Sequence, residues 1–414
     1  MTNSNKYETK SATLQEKLLA SMRSLASASK TNLKKFWKYA STQKPRRHSV
    51  TKLSVNGNTI SNPGNIAEAL NQQFKSVFTP PDNDLLPQIP EYDIQKPMQI
   101  ITVGTLDVES QLKRLNPNKS VGPDGVHPRT LKEAHAELAL PLAKLFQKSL
   151  DTKQVPQDWR NANITPVHKG GSRNCAANYQ PISITSTVSK ILEGIANTAV
   201  MKHLIDNKLL TNSQHGFTSG CSVETNLIDA YECVTKLLDQ GIPVDMILLD
   251  FAKAFDKVCH CCLKAKLLAT GIHVEVVEWV MQFLSGRKQR VRVFGDNGQE
   301  FFSEVAGVDS GVPQGTILGP TLFNIYINDA PRAVRNKMSF YADDAKLIGP
   351  SESSATRATI QEDLDALSLW ACQWKLEFNI QKCKAVYFGK KNEKWQYHMS
   401  GGDGSRQSIG SSVA

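Results

Sequence analysis

No apolar run in this 414-residue chain exceeds about half a dozen residues, far short of the roughly 20 that a membrane-spanning helix needs. The opening residues, Met1-Thr2-Asn3-Ser4-Asn5-Lys6, contain no apolar stretch of the kind that marks a secretory signal. Eight cysteines are present, but their spacing fits no disulfide framework, so reduced thiols are expected. Cys259-His260-Cys261-Cys262 has no second Cys/His pair at a matching distance, which argues against a zinc module. Cys261 is read instead as a small core residue on a helical stripe with Ala254, Val258, Ala265 and Leu268. Acid is in deficit: 39 Asp and Glu stand against 49 Lys and Arg, giving a net charge of +10 and a pI near 9.1. The expected partner is therefore a polyanion, and with no membrane segment in view nucleic acid is the better reading. Tandem repeats are also absent.

What is present begins with a polar, basic N-terminal stretch. Leu14, Leu18, Met22 and Leu25 hint at one amphipathic helix. Lys34-Lys35-Phe36-Trp37-Lys38-Tyr39 and Lys44-Pro45-Arg46-Arg47-His48 interleave rings with cations, which suits backbone contact and base stacking as well as a solvated linker. A helical stretch from Ile66 to Val77 precedes a Pro-rich connector from Pro80 to Pro97. Residues 101–240 read as mainly helical, with a strand near Ala162–Val167. Gln289–Phe294 and Glu300–Val305 flank Gly295-Asp296-Asn297-Gly298, a strong hairpin signal. One face of that hairpin, carrying Arg290 and Arg292, could follow a phosphate backbone or simply be a solvated strand face. Ile360, Leu364, Leu367, Ala371 and Trp374 predict a helix, and Lys384–Phe388 a strand. Met399 to Ala414 is Gly/Ser-rich with no core-forming period and is expected to be disordered.

Chemistry concentrates at four segments. In Phe340-Tyr341-Ala342-Asp343-Asp344 two acids sit at the tip of an expected hairpin, between apolar Met338 and Phe340 and apolar Leu347 and Ile348. Asp250 ends the apolar run Met246-Ile247-Leu248-Leu249. Three carboxylates brought together by two strands make a poor core and a good cage for hard divalent cations, which phosphoryl transfer uses in pairs about 3.5–4 Å apart. An Asp pair in a turn is also common punctuation, so the remaining motifs carry weight. Past Asp250 the Phe251 carbonyl can reach the same ion. Phe255 could wall the sugar of a nucleotide or simply pack in the core. The loop Gly311-Val312-Pro313-Gln314-Gly315-Thr316-Ile317-Leu318-Gly319-Pro320 lets backbone approach a ligand closely, with Gln314 able to hydrogen-bond a base or sugar. Lys169, beside Gly170 and Gly171, suits a triphosphate as a point charge.

In their order these motifs resemble the reverse transcriptases of non-LTR retrotransposons of the jockey and CR1-like group. The family series K-x-x-G-P-D-G, P-x-x-K-G, Y-R-P-I-S, Q-x-G-F, D-x-x-x-A-F-D, G-x-P-Q-G-x-x-x-G-P, Y-A-D-D and W-x-x-x-W-x-L-x-F-N-x-x-K is matched in turn. It falls at Lys119–Gly125, Pro166–Gly170, Tyr179–Ser183, Gln214–Phe217, Asp250–Asp256, Gly311–Pro320, Tyr341–Asp344 and Trp370–Lys382. The resemblance implies an α+β, right-hand polymerase fold, with fingers and a palm whose antiparallel sheet packs on helices. The implied division is a basic N-terminal helix and linker over 1–100, fingers over 101–240, palm over 241–390 and a disordered tail over 391–414. It implies Asp250, Asp343 and Asp344 as metal ligands with the Phe251 carbonyl, and Phe255 as sugar gate. Gln314 and Gly315 would lie beside the incoming nucleotide, Lys169 on its phosphates, and Lys382 at the departing pyrophosphate. The cofactor implied is a pair of Mg²⁺ ions, with Mn²⁺ as a substitute. The partners are an RNA template, a DNA primer and dNTPs, in nucleus and cytoplasm.

The chain departs from the series in places. Tyr179-Gln180-Pro181 has Gln180 where the family carries arginine, and Gly216-Phe217-Thr218-Ser219-Gly220-Cys221-Ser222 lacks two further cations. Cys262 also stands where arginine is frequent. Arg→Gln and Arg→Cys are each one transition away at a CpG codon, so erosion of substrate affinity in a drifting copy is one expectation. An inactive relic or a domesticated RNA-binding protein is the alternative, and intact acids favour the enzyme. Complete elements of this type carry an endonuclease upstream and a thumb downstream, and neither is expected within these residues.

Overall fold

The computed structural model describes residues 50–55, 57–79, 86–401 and 404–413. The stretch expected to be helical around Leu14–Leu25, and the basic clusters at Lys34–Tyr39 and Lys44–His48, lie outside them. The chain forms two units, residues 52–293 with 301–414, and residues 1–51 with 294–300. In the second, Gly298 N donates to Gly295 O at 2.9 Å, closing the expected turn.

In chain order the first elements are β1 (Leu53–Val55), β2 (Asn58–Ile60), α1 (Pro63–Lys75), α2 (Thr105–Arg114), α3 (Pro128–Glu133), α4 (His135–Thr152) and α5 (Gln157–Arg160). There follow β3 (Asn161–His168), β4 (Tyr179–Ile184), α6 (Thr187–Asp206), α7 (Val223–Asp239), β5 (Val244–Asp250), α8 (Ala254–Lys257), α9 (His260–Ala269) and α10 (Val274–Leu284). The next group is β6 (Arg287–Phe294), β7 (Glu300–Phe302), β8 (Ala306–Val308), α11 (Leu318–Ile327), β9 (Lys337–Tyr341) and β10 (Asp344–Pro350). Last come α12 (Ser354–Gln373), β11 (Lys384–Phe388), β12 (His398–Ser400), β13 (Arg406–Ser408) and β14 (Gly410–Val413).

Start signals in the sequence are used. The Asn62 side chain accepts the amides of Gly64 and Asn65, and Pro63 opens α1. Ser222 and Ser353 cap α7 and α12, each paired with a threonine three residues on. These caps satisfy amides that a helix start leaves without internal partners.

One sheet runs β14-β11-β5-β10-β9. Its pairs are antiparallel, as expected of the palm sheet, except at the edge, where β14 lies parallel to β11. The apolar run of β5 is buried on both faces. Met246 and Ile348 pack with Ala230 and Val234 of α7. Ile247, Leu249 and Leu347 face the main core with Ile360, Leu364 and Leu367 of α12. Alternation with period two assigns each side chain to its face. A second sheet runs β4-β3-β6-β7, with β8 also on β6. The return strand expected at Glu300–Val305 is thus split, because Ser303 accepts Val291 N through its hydroxyl and breaks the ladder. Arg290 is bound within the protein: Nε donates to Asn163 Oδ1 at 2.8 Å and the guanidinium lies 4.2 Å from the Phe302 ring centre.

Two expectations are corrected. The helical stripe through Cys261 fails because α8 stops at Lys257 and α9 restarts at His260, which resets the phase. Cys262, Leu263, Lys266 and Leu267 face the core, while Cys261 and Leu268 are exposed. The tail expected to be disordered forms β12, β13 and β14, and Tyr397, Met399 and Ile409 are buried in the main core. A polar anchor explains this. Asp245, fully buried at the start of β5, accepts hydrogen bonds from the Tyr397 hydroxyl at 2.7 Å, Asn392 Nδ2 at 2.6 Å and the Ser351 hydroxyl at 3.0 Å. Apolar periodicity does not register such an anchor. Tyr397→Phe should lower stability by about 1–3 kcal/mol, the cost of one lost hydrogen bond to a buried carboxyl group. Urea unfolding should show a lower midpoint at unchanged slope, and an unchanged midpoint would contradict the anchor.

Candidate active site

The register of β5 on β10 sets Asp250 directly opposite Asp344, a pairing in which Cα atoms lie about 4.5–5.5 Å apart. Asp343 stands with Ala342 in the turn between Tyr341 and Asp344, which pair across β9 and β10. Their surroundings record the crowding. The Asp343 carboxyl is raised above its usual range, first by burial and then by the charges of Asp344 and Asp250. Asp344 is raised by desolvation and by Asp250. The three carboxylates do not converge within 4.8 Å of one another, the spread that mutual repulsion favours. All three donors are hard oxygens, and a set that raises its own proton affinity suits a divalent cation better than sodium or a zinc-type site.

Cations reach this end of the sheet from two sides. Lys382 Nζ lies 3.1 Å from Asp250 Oδ2 while staying largely solvent-exposed. Lys169, exposed at the end of the β3–β4 hairpin, acts electrostatically on both Asp343 and Asp344. The Phe251 side chain is buried and stacked on Phe378 at 4.3 Å between ring centres. Asn379 N donates to Asp250 O and Ala252 N to Glu377 O, so the 377–379 segment fixes the backbone that leaves β5. The acids, Phe251 and Lys382 are thus brought to one place, and Lys169 acts on two of the acids through its charge.

Phe255, Gln314 and Gly315 form a second cluster. Phe255 is only 8% exposed and stacks on Phe323 at 4.5 Å, so most of its ring belongs to the core. Its edge meets exposed Phe217, ring centres 6.5 Å apart. The Gly311–Pro320 loop is held on three sides. Gly311 N and Val312 N donate to Val258 O and Phe255 O, and Ser183 N donates to Gln314 O at 2.8 Å. Gly315, at φ +110°, has no room for a Cβ, which would lie 2.4 Å from Ser183 O. Its glycine therefore answers to β4 rather than to a ligand. Gln180, at a position where the family carries arginine, donates its amide to Gln314 Oε1.

Sequence reasoning missed Glu193. Fully buried, it accepts Ile317 N at 2.8 Å and Leu318 N at 3.4 Å, while Thr316 Oγ1 accepts Gly319 N. Pro320 has no amide, so the exposed donors at the start of α11 are all met. Burial raises the Glu193 carboxyl, opposed by those two amides and by Lys190. An acid followed at a distance by a Gly/Pro loop leaves no local signal. Gln214 and Phe217 belonged to a recognised motif, but nothing in the motif gave their roles. The thiols of Cys259, Cys261 and Cys262 lie within 4.8 Å of one another, with no fourth His, Cys, Asp or Glu joining them among the described residues. His260 is turned away to Gly311 O at 2.9 Å. A four-coordinate zinc site is therefore incomplete here.

The family pattern described as reverse transcriptase (RNA-dependent DNA polymerase) matches residues 167–401. This chain belongs to the reverse transcriptase family. It is 28% identical over 341 residues to the RNA-directed DNA polymerase from mobile element jockey of Drosophila melanogaster, covering 78% of this chain and 36% of that protein. It is 28% identical over 305 residues to the probable RNA-directed DNA polymerase from transposon BS of the same species, covering 70% and 33%. A Pol polyprotein of retrotransposable element R1 from Bradysia coprophila is 27% identical over 292 residues, covering 69% and 27%. The chain spans about a third of the length of the jockey and BS relatives. The expected resemblance to non-LTR reverse transcriptases is thereby borne out, and the family implies a polymerase palm fold that mixes helices and sheets.

Asp256, which closes the Asp250–Asp256 motif, has a buried carboxylate oxygen with no hydrogen-bond partner. Burial raises its carboxyl from the usual 3.8 to about 6, with Lys253 and Arg287 opposing. A folded-state value above the unfolded one means the native form binds the proton more tightly, so stability falls as pH rises from 4 through 6 and is level above. Asp256→Asn should therefore be more stable than the parent at pH 7, by on the order of 2–3 kcal/mol. The difference should shrink toward zero near pH 4. A pH-independent difference in urea midpoint would show that the proton is not the cause.

Proposed function

We propose that this chain is an RNA-directed DNA polymerase that extends a DNA primer on an RNA template from dNTPs. The observation that carries the reading is the placement of Asp250 opposite Asp344 with Asp343 in the adjoining turn. Residues 101–240 act as fingers and 241–390 as palm. Asp250, Asp343, Asp344 and the Phe251 carbonyl would hold two Mg²⁺ ions, or Mn²⁺ in their place. When bound, such ions lower the cost of ionising the primer 3′-hydroxyl and offset charge on the leaving pyrophosphate.

The protein's own groups then supply position and charge. Lys169 takes the triphosphate as a point charge, a role supported by its exposure beside Gly170 and Gly171 and by its lowering influence on Asp343 and Asp344. Phe255, backed by Phe323 and edged by Phe217, offers a firm wall to the sugar where a 2′-hydroxyl would clash. Gln314 and Gly315, on a loop pinned to β4 and α8, present fixed polar backbone to the incoming nucleotide. Lys382 would give a proton to the departing pyrophosphate, a role supported by its Nζ lying 3.1 Å from Asp250 Oδ2. Work on chromosomal DNA would require access to the nucleus after synthesis in the cytoplasm.

Primer extension on an RNA template with Mg²⁺ or Mn²⁺ tests the reading. Extension should stop on chelation and fall on the order of a thousandfold in Asp343→Ala, as expected when charge stabilisation of the transition state is removed. Signal that survives Asp343→Ala would overturn the assignment.

A weakened copy is a second reading with its own observation. Gln180 spends its amide on Gln314, and Cys221 is an exposed thiol in the segment before α7. Combining Gln180→Arg with Cys221→Arg should raise extension and lower the KM for dNTPs. Unchanged kinetics would show that these positions have not eroded the activity.

A further inference from the structure

The catalytic turn is strained. Ala342 has φ +58°, in the left-handed region that residues other than Gly, Asn and Asp seldom adopt. Such strain persists only when surrounding structure over-determines it. The surrounding structure is the Ser213–Gly216 segment. Phe340 N donates to Ser213 O at 2.7 Å and His215 N to Phe340 O at 2.9 Å, laying the segment parallel to β9.

From that position the Gln214 side chain brackets Ala342. Oε1 accepts Ala342 N at 3.0 Å and Gly216 N at 2.7 Å, while Nε2 donates to Ala342 O at 3.2 Å. The amide orientation follows from chemistry, because the reverse would set an NH₂ against two N–H donors. Gly216 completes the fit, since a Cβ there would lie 2.2 Å from Ala342 N. The bracket is itself anchored. Asn324 of α11 donates to Gly216 O at 2.9 Å, and Asn226 of α7 donates to Phe340 O at 3.1 Å. Gln214 is only 5% exposed, and its amide is committed to this turn rather than to a ligand.

We propose that Gln214 is a positioning residue whose amide holds the Tyr341–Asp344 turn in the strained form that aims Asp343 and Asp344 at the cation site. The assignment rests on the reading of the three acids as cation ligands and adds the element that orients them. Groups behind the ligands of a metal site act in this way, fixing ligand direction without touching the ion.

Mn²⁺ binding to the full chain, followed by electron paramagnetic resonance, reads the cage without requiring turnover. Gln214→Met should weaken Mn²⁺ binding by about ten- to a hundredfold. Adding Ala342→Gly should recover most of that loss, because glycine adopts the turn without support. Unchanged Mn²⁺ affinity in Gln214→Met, or a loss that Ala342→Gly leaves in place, overturns the proposal. If Gln214→Met does not fold, Gln214→Glu sets a carboxylate against Ala342 O and is read in the same pair with Ala342→Gly. A parent chain that binds no more Mn²⁺ than Asp343→Asn would sink the cage reading, and the bracket with it. A defect confined to the Gln214 variants and relieved by the glycine supports the bracket.

Discussion

The antiparallel register between β5 and β10 is the constraint on which the remainder depends. It pairs Asp250 with Asp344, and a slip of one residue would turn every side chain of either strand to the opposite face. Burial on both faces prevents that slip. Met246 and Ile348 are held under α7, and Ile247, Leu249 and Leu347 under α12. The same apolar strands that make the core thus deliver three like charges to one end of a sheet, where their mutual repulsion is offset by the packing behind them. Burial first, and the neighbouring acid charges after it, make Asp343 and Asp344 hold protons more tightly.

Buried polar groups do the fine placement around this frame. Gln214 fixes the acid-bearing turn, Glu193 fixes the start of α11 below the Gly311–Pro320 loop, and Asp245 ties Tyr397 to the start of β5. Lys266 and Asp329 form a buried ion pair, with the ammonium also 3.5 Å from the Trp374 ring centre. Each of these side chains is surrounded by partners, as a low-dielectric interior requires. Asp256, within α8, differs from these in having an unpaired buried carboxylate oxygen. It closes the motif that begins at Asp250, so an uncompensated buried carboxyl stands close in sequence to the acids.

Much of this was legible in the sequence, for identifiable reasons. Helices with a regular apolar period were found, α1 within three residues at each end and α12 at its C-terminal end but with its first six residues missed, because the apolar period begins at Ile360. Lys384–Phe388 was found at its observed bounds because its apolar residues stand between clear breaks. The acids and the Gly311–Pro320 loop were found because they are chemically unusual where they stand. Cys261 was misplaced because a two-residue interruption at Val258 and Cys259 shifts helical phase, and composition carries no record of it. The last strands were missed because short Gly/Ser-rich strands have no pattern of their own and are ordered by what they dock against.

By itself the sequence determined the kinds of chemistry available. Three hard-oxygen donors, a basic balance and an ordered series of loops follow from residue identity and spacing, which act locally along the chain. Only the tertiary structure decided which groups meet. Gln214 reaches Ala342 and Glu193 reaches Ile317 across more than a hundred intervening positions. Partnerships of that kind arise from packing and from the need to satisfy buried polar atoms, and neither leaves a periodic trace in the chain.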